Sequence, residues 1–467
     1  VVGNPPWIRW DYLSSEYRAA TLEMWKDYGL FSLKGFESRL GGGKKDFAML
    51  FTYAAADYYL TPSGALGFLI TQEVFKTKGA GEGFRRFRLG KKGPHLNVIK
   101  AHDFTSLQPF EDAANKTAAI ILKKGSETKY PVPYFVWSKK GGGSRIPSDW
   151  MLDEVRLALK KTRLNARPVD KPTSAWQTMT PEQEKLNALK GECAYTACLG
   201  ANPNPYGVFW LEVKEVLSNG NILVRNLSEL GKQKTIKSQD EQIEPDLVYP
   251  ALRGSDIKRW KATPQIFMLV TQNPQTRRGY PDEQMEVEWT RTRGYLLQFK
   301  KLLLSRPLYR KYHEQQGNPF YSQFNISEET FAPYKTVWKA MSDDIISCVV
   351  STNSTPIGHK KIVPQHTTAF FSCGNKDEAH FLCAILNSQP VREFVKTFSS
   401  AGRGFGSPSV IKHIRIPKFQ PQDEVHSKLS ESSKRLHEIT AERENGSIKQ
   451  LELEVDKLVA RLFCISE

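Results

Sequence analysis

Cysteine is sparse and unpatterned in this chain. Six residues (Cys193, Cys198, Cys348, Cys373, Cys383 and Cys464) are spread through 467 positions, and no two form a CxxC pair. That spacing excludes a disulfide framework and a paired-cysteine zinc site, and it reads as reduced core thiols in a cytoplasmic protein. There is no HExxH, and His359, His366 and His380 are scattered, so no metal site is expected. No apolar run approaches the roughly 20 residues that span a bilayer, and nothing resembles a signal peptide. Gly41-Gly42-Gly43-Lys44-Lys45 lacks the Ser/Thr and the spacing of a phosphate-binding loop. Gly79-Ala80-Gly81-Glu82-Gly83 lies among Lys and Arg and reads as a mobile loop. No carboxylate–lysine cluster marks a nuclease, and no internal repeat is visible.

Negative charge is also in short supply. Lys and Arg number 66 against 50 Asp and Glu, a net charge of +16. An excess of that size attracts polyanions such as nucleic acid, or an anionic membrane surface, and is also compatible with a merely basic soluble protein. The remaining composition is that of a globular protein, and the length allows two or three domains with cores of their own.

Val1-Val2-Gly3 reads as the tail of a strand, one that begins before the chain does, since strands usually run about five or six residues. Residues 46–60 have helical spacing, with Phe47, Leu50, Phe51, Ala54, Ala55 and Tyr58 on one face. A turn at Thr61-Pro62-Ser63-Gly64 precedes the apolar run 65–70, expected to be a strand buried on both faces. Residues 97–99 and 117–122 read as further strands, and helices alternating with strands imply an α/β sheet. Gly141-Gly142-Gly143-Ser144 marks a flexible break, followed by a helical stretch near 149–163. Beyond Pro421, Val425, Leu429, Leu436 and Ile439 share a helical face. After Gly446, Leu451, Val455, Leu458 and Leu462 repeat at heptad-like spacing. These positions predict a helix pair, packed on the body or docking on a partner.

The first loop carries the most chemistry. In Asn4-Pro5-Pro6-Trp7, two prolines fix two φ angles and supply no backbone N–H. Pro5 also keeps Asn4 out of the helical region. The result is a stiff loop offering the Asn4 side-chain carbonyl, proline carbonyls without a competing donor, and the flat Trp7 indole. At the carboxyl end of a strand, where open α/β sheets bind ligands, such a loop suits a planar group bearing an amine.

Asn-Pro-Pro followed by an aromatic resembles the catalytic motif of S-adenosylmethionine-dependent amino methyltransferases. The order of NPPW, the helix from Asp46, the strand Ala65 to Ile70 and the run Pro109 to Leu122 is similar to the catalytic half of those enzymes. Tyr249 to Trp260, Ala379 to Ser388, Ser407 to Pro417 and the final helix resemble the type IIG and Taq-like N6-adenine DNA methyltransferases of restriction–modification systems. The resemblance covers most of the chain and is weakest over 141–240.

It implies an α/β fold: a partial Rossmann-like methyltransferase sheet, then a mixed α+β target-recognition domain, then a C-terminal helical segment. The corresponding boundaries are 1–140 for the catalytic half, 141–240 for a connector, 241–420 for target recognition and 421–467 for the tail. Asn4, Pro5, Pro6 and Trp7 become the catalytic residues that hold an adenine flipped from double-stranded DNA, and Phe110 the ring that packs on it. The glycine-rich strand–loop and acidic residue that carry S-adenosylmethionine in that family are missing before NPPW. The expectation is therefore an enzyme completed by an upstream segment or polypeptide, in a prokaryotic cytoplasm.

Lys76, Lys78, Arg85, Arg86, Arg88, Lys91 and Lys92 cluster after the catalytic strand, and Arg253, Lys258 and Arg259 lie in the recognition stretch. Arg277 and Arg278 occupy another loop, and Arg403 sits in the glycine loop Ala401 to Ser407. As a set they are expected to contact DNA phosphates or guanine edges. The competing reading is a DNA-specificity module without catalysis, acting with a partner subunit; a methyltransferase for RNA or protein amides fits the large basic region less well.

Overall fold

The computed structural model describes the chain except residues 32–45, 77–79, 111–114, 232, 234, 400–401, 443–447 and 467, with the backbone alone at 80, 402 and 403. Gly41 to Lys45, Lys78, Gly79, Glu111 to Ala113, Ala401 and Gly446 therefore lie outside the described residues. The chain forms two compact units. Unit 1 comprises Val1–Lys185 with Thr397–Ser399, and unit 2 comprises Leu186–Lys396 with Ser400–Glu467.

Unit 1 is built on a seven-stranded mixed sheet. Its strands are β1 (Val2–Gly3), β2 (Ala65–Thr71), β3 (Leu96–Asp103), β4 (Thr117–Lys124), β5 (Val132–Lys139), β6 (Leu159–Pro168) and β7 (Trp176–Met179), in the order β1-β2-β4-β3-β5-β6-β7. β1 runs parallel to β2, with Gly3 opposite Phe68. The Gly3 Cα approaches the Phe68 ring closely: a Cβ there would sit 3.0 Å from ring carbon Cε1. Before the sheet's second strand come helices α1 (Ser15–Asp27) and α2 (Phe47–Tyr59).

The α/β expectation holds, with three local differences. β2 buries Leu66, Phe68 and Ile70 but leaves Gly67 and Leu69 half-exposed, so one face of this strand is buried rather than both. α2 forms where expected and buries Phe47, Leu50 and Ala55 as expected, yet it also buries Met49, Thr52, Tyr53 and Ala56 while Phe51 and Tyr58 are exposed. The helix is apolar almost all round, so periodicity alone does not select its core face. Residues 149–163 divide into a short helix, α3 (Leu152–Ala158), and the strand β6. Pairing with β5, which sets Leu164 opposite Tyr134, overrides the local helical pattern.

Because β5, β6 and β7 continue this sheet, residues 141–185 belong to unit 1 and are not a connector. The glycines at 141–143 make the turn after β5, with positive φ at Gly142 and Gly143. Residues 186–240 belong to unit 2, which corrects the second half of the expected connector.

Unit 2 contains β8 (Cys198–Leu199), β9 (Trp210–Val216), β10 (Ile222–Asn226), β11 (Asp240–Ile243), β12 (Val248–Leu252) and β13 (Ile266–Leu269). It continues with β14 (Tyr334–Lys339), β15 (Ser347–Val350), β16 (Val363–Pro364) and β17 (Thr368–Cys373). One sheet has the order β11-β10-β9-β13-β12-β16 and the other β15-β14-β17-β8. Helices α4 (Lys376–Asn387), α5 (Gln389–Phe398), α6 (Glu424–Glu442) and α7 (Ile448–Phe463) complete the chain.

The terminal helices are not a separate domain: α6 packs on α4 and α7 on α6 within unit 2. The predicted face of α6 buries Leu429, Leu436 and Ile439 with Val425 half-buried, whereas of the four predicted α7 positions Val455 alone is buried. Val459 and Phe463 are the other buried positions of α7, while Leu451, Leu458 and Leu462 are half-buried. Among the described residues no helix is long and apolar enough to cross a membrane.

Two histidines lock α6 in place. His437 Nδ1 donates to Ser433 O at 2.7 Å, and its Nε2 accepts from the Val349 backbone N–H at 3.0 Å. His380 of α4 meets Ser433 Oγ at 3.1 Å, and the two imidazoles lie edge to face at 4.7 Å. Burial lowers His437 to about 4, and His380 falls too, through burial first and then the neighbouring His437 and lysines. Both groups are neutral when folded and bind protons more readily when unfolded. Their stabilisation is complete above the unfolded value near 6.5 and is lost as pH falls from there toward 4. Urea unfolding followed at pH 7.5 and pH 5 is expected to show a lower midpoint at the acid value, with a smaller pH difference in His437→Gln.

Candidate functional site

The loop after β1 leaves the sheet where the strand order places β1 beside β2. Pro5 is buried, Asn4 and Pro6 are exposed, and Trp7 is half-buried. Trp7 is anchored by its own indole, whose Nε1 donates to Leu69 O at 3.2 Å. Its ring meets Phe110 edge to face, with centroids 5.6 Å apart and planes at 71°. The sequence gives no measure of that distance; the structure brings these two candidate rings into contact, Phe110 remaining 38% exposed. The Asn4 amide makes no hydrogen bond among the described residues, so both its donor and acceptor are available.

The far side of the loop is held by residues that carried no functional weight in the sequence. Phe47 N donates to Ile8 O at 2.8 Å, and Arg9 bridges to Asp46. Asp46 caps α2 by accepting from Ala48 N at 2.9 Å, and its second oxygen accepts from Thr71 Oγ1 at 3.1 Å. The Asp46 side chain thus ties the helix start to the end of β2, while the backbone of residues 46 and 47 holds the loop. Burial pushes the Asp46 carboxyl up to about 6, against those two hydrogen bonds, which favour its charged form. An Asp directly before an apolar helical run was the available signal. A second buried network lies at the end of β3, where Asp103 accepts from Tyr134 OH at 2.5 Å, Gln72 Nε2 at 3.3 Å and Thr105 N at 2.8 Å.

Several expected DNA contacts turn out to hold the fold. Lys76 Nζ is enclosed by Trp176 O at 2.9 Å, Thr178 Oγ1 at 3.0 Å and Thr397 O at 2.8 Å, and burial lowers it to about 7. Arg85 is 2% exposed and donates to Thr173 O and Val74 O. Arg86 donates to Tyr28 O. These cations donate to backbone carbonyls of unit 1 and so hold the fold, and they are corrected from DNA contacts to structural groups.

The glycine stretch beside them is likewise structural where it is described. Residues Ala80–Phe84 are helical, and Gly83 packs so tightly that a Cβ would lie 2.7 Å from Gly29 O. Its reading as a mobile loop is corrected accordingly.

In unit 2, Arg253 forms a bidentate pair with Asp256, through Nε at 3.1 Å and Nη2 at 2.9 Å. Arg259 faces Glu452 at 3.2 Å and Asp344 at 3.8 Å, and is mostly committed to the fold. Lys258 is exposed and, with Lys261, Ser255, Thr263 and Gln265, lines a cavity of about 710 Å³. Arg277 has a positive φ of 57°, is exposed, and lies 3.8 Å from Glu329; Arg278 is exposed beside it. Arg403 lies on a short strand whose backbone pairs with Met341. Outward-facing charge therefore survives at Lys258, Arg277 and Arg278.

No family model matches the chain, and no curated protein matches it in sequence. Solved structures do match. The type IIL restriction–modification enzyme MmeI in complex with DNA aligns over 100% of this chain and 54% of its own, with 11% identity and a TM-score of 0.57. The type IIG restriction endonuclease BpuSI aligns over 99% and 53%, with 12% identity and a TM-score of 0.30. A nuclease-deletion mutant of the type ISP restriction–modification enzyme LlaGI, in complex with a DNA substrate mimic, aligns over 94% and 35%, with 12% identity and a TM-score of 0.47. This chain has a mixed α/β fold similar to that of the first of these and spans about half its length.

Proposed function

We propose that unit 1 carries the target-amine end of an S-adenosylmethionine-dependent N6-adenine DNA methyltransferase, that unit 2 recognises its DNA, and that both serve a restriction–modification system in a prokaryotic cytoplasm. The observation that carries this reading is the rigid NPPW loop, with its unbonded Asn4 amide beside the Trp7–Phe110 ring pair. An exocyclic adenine amine is a poor nucleophile because its lone pair is delocalised into the ring. Asn4 Oδ1 and the Pro5 carbonyl accept its two hydrogens, which draws the nitrogen toward sp³ and frees the lone pair. The purine ring packs against Trp7 and Phe110 once it has left the duplex, where its amine would otherwise be paired.

S-adenosylmethionine supplies the methyl group. The described residues do not fit that cofactor by themselves: they include no glycine-rich strand–loop, and Gly83, the one described glycine of the stretch 79–83 whose neighbours crowd it, is filled by backbone. This chain's residues account for holding the amine. The cofactor's own site we assign to a segment encoded upstream.

The test is mass spectrometry of N6-methyladenine in DNA from a methylation-free host expressing this chain with and without its upstream coding segment. Modified adenine is expected only with that segment. Sequence-specific binding without modification in either case would instead establish the non-catalytic specificity module.

The charge reading has its own check. Neutralising Lys258, Arg277 and Arg278 together is expected to flatten the dependence of log affinity on log salt by about 3, roughly one per phosphate contact. Filter binding of duplex DNA across salt concentrations measures this.

A further inference from the structure

Unit 2 holds a second cavity, of about 420 Å³, walled by Asn202, Asn204, Tyr206, Gln365, His366 and Thr367 among others. Three rings form one side. Tyr206 lies nearly parallel to Trp210, with centroids 4.4 Å apart and planes at 13°, and to His366 at 5.0 Å and 19°.

The wall is rigid. Gln365 N donates to Leu252 O at 3.0 Å and His366 N to Ala201 O at 2.8 Å. Gly200 packs so closely that a Cβ would lie 2.1 Å from Gln365 O. Two stretches singled out in the sequence meet this cavity: Gly254, next to Arg253, donates its N–H to Thr367 Oγ1, and Met341, on the rim, pairs with Arg403.

Gln365 is the informative side chain. It is 1% exposed, yet only half of its amide is used. Its Oε1 accepts from Thr367 N at 2.6 Å and from Thr367 Oγ1 at 3.0 Å. The Thr367 hydroxyl in turn accepts from Gly254 N at 2.8 Å, so its own proton points to Gln365. That chain of donors fixes the amide orientation and fills both lone pairs of Oε1. Nε2 then presents its two N–H groups with no acceptor among the described residues. Gln365 lines the cavity, so these donors, which no protein acceptor takes, are open to the acceptors of a ligand there.

We propose that this cavity is a base-reading site of unit 2 and that the base it reads is guanine. The inference rests on the DNA-binding reading above. A glutamine with both amide groups free pairs with adenine, donating to N7 and accepting from N6; Gln365 has no acceptor left and acts as a donor only. Guanine presents two acceptors in the major groove, O6 and N7, whereas cytosine presents a donor. The ring wall and the Asn202 and Asn204 amides border the space that the base edge enters.

The experiment is selection from randomised duplex DNA by the full chain, followed by binding of the selected duplex. An invariant guanine is expected, at which replacement by a deazaguanine lacking N7 weakens binding about tenfold. Gln365→Met is expected to remove the preference at that position alone, and Gln365→Glu, which turns the donor into an acceptor, to shift it to cytosine. His366→Ala, at the half-exposed rim, is a second variant that leaves the buried amide network intact, and it is expected to weaken discrimination at the same position. Selected sites without an invariant guanine, or with a guanine indifferent to N7 and to both substitutions, overturn the base-reading site while leaving DNA binding standing. Failure to retain any duplex overturns the DNA-binding reading and this site with it.

Discussion

Asn4→Ala is expected to lower adenine methylation by on the order of 10³-fold, the scale of removing one preorganised hydrogen-bonding group from a reacting centre. Duplex affinity and thermal stability are expected to stay unchanged. The reason is local. The Asn4 side chain is exposed and bonds to nothing among the described residues, so the fold does not depend on it. Its neighbour gives no such clean test: Trp7 donates to Leu69 O and packs on Phe110, so Trp7→Ala would loosen the loop as well as remove a stacking face. Asp46 lies between these cases, because its side chain ties Ala48 to Thr71, and its backbone pairs with Arg9, without lying in the loop itself. The comparison is run on the chain expressed with its upstream coding segment, by mass spectrometry of methylated adenine and by duplex binding on the same preparations. Equal loss of methylation and of duplex affinity would move Asn4 from chemistry to binding.

Arg85→Gln is expected to destabilise unit 1 by about 3 kcal/mol, the upper range for hydrogen bonds to a charged group whose partners stay buried. The guanidinium is 2% exposed, donates to Thr173 O and Val74 O, and is pulled down to about 10 by burial. Removing it strands both carbonyls away from water and opens a space in the packing. The salt dependence of duplex binding is expected to be unaltered, since no phosphate reaches this side chain. Urea unfolding with fluorescence of the buried Trp176 checks the first expectation, and salt-dependent binding checks the second. An unchanged unfolding midpoint with a flatter salt slope would return Arg85 to the DNA surface.

The two predictions differ in what made them legible. The NPPW loop can be read locally: prolines restrict their own φ and their neighbour's, and an amide and an indole on so stiff a segment announce a held ligand. The strand runs 65–70 and 117–122 and the helix from Asp46 were equally local, set by apolar spacing and by a cap. The contact between Trp7 and Phe110 was not, because the order β2-β4-β3 that folds Phe110 back toward the loop depends on pairing between distant strands. Gln365 lay in no motif at all; only Thr367 and Gly254, brought beside it by β12 and β16, convert it from a two-sided amide to a donor.

By itself the sequence determined the element types, the stiff loop and its chemistry, the heptad-like terminal stripe and the excess of positive charge. Each of these is a property of a residue and its near neighbours. Tertiary structure alone decided which face of α2 is buried, where the first unit ends, and which cations meet solvent. Lys76, Arg85 and Lys258 are alike as cations, but the first two lie where Thr173, the strand β7 and the end of α5 bring carbonyl acceptors, and the third does not. A buried cation is kept by acceptors remote in the chain, and no local pattern records where those acceptors will be.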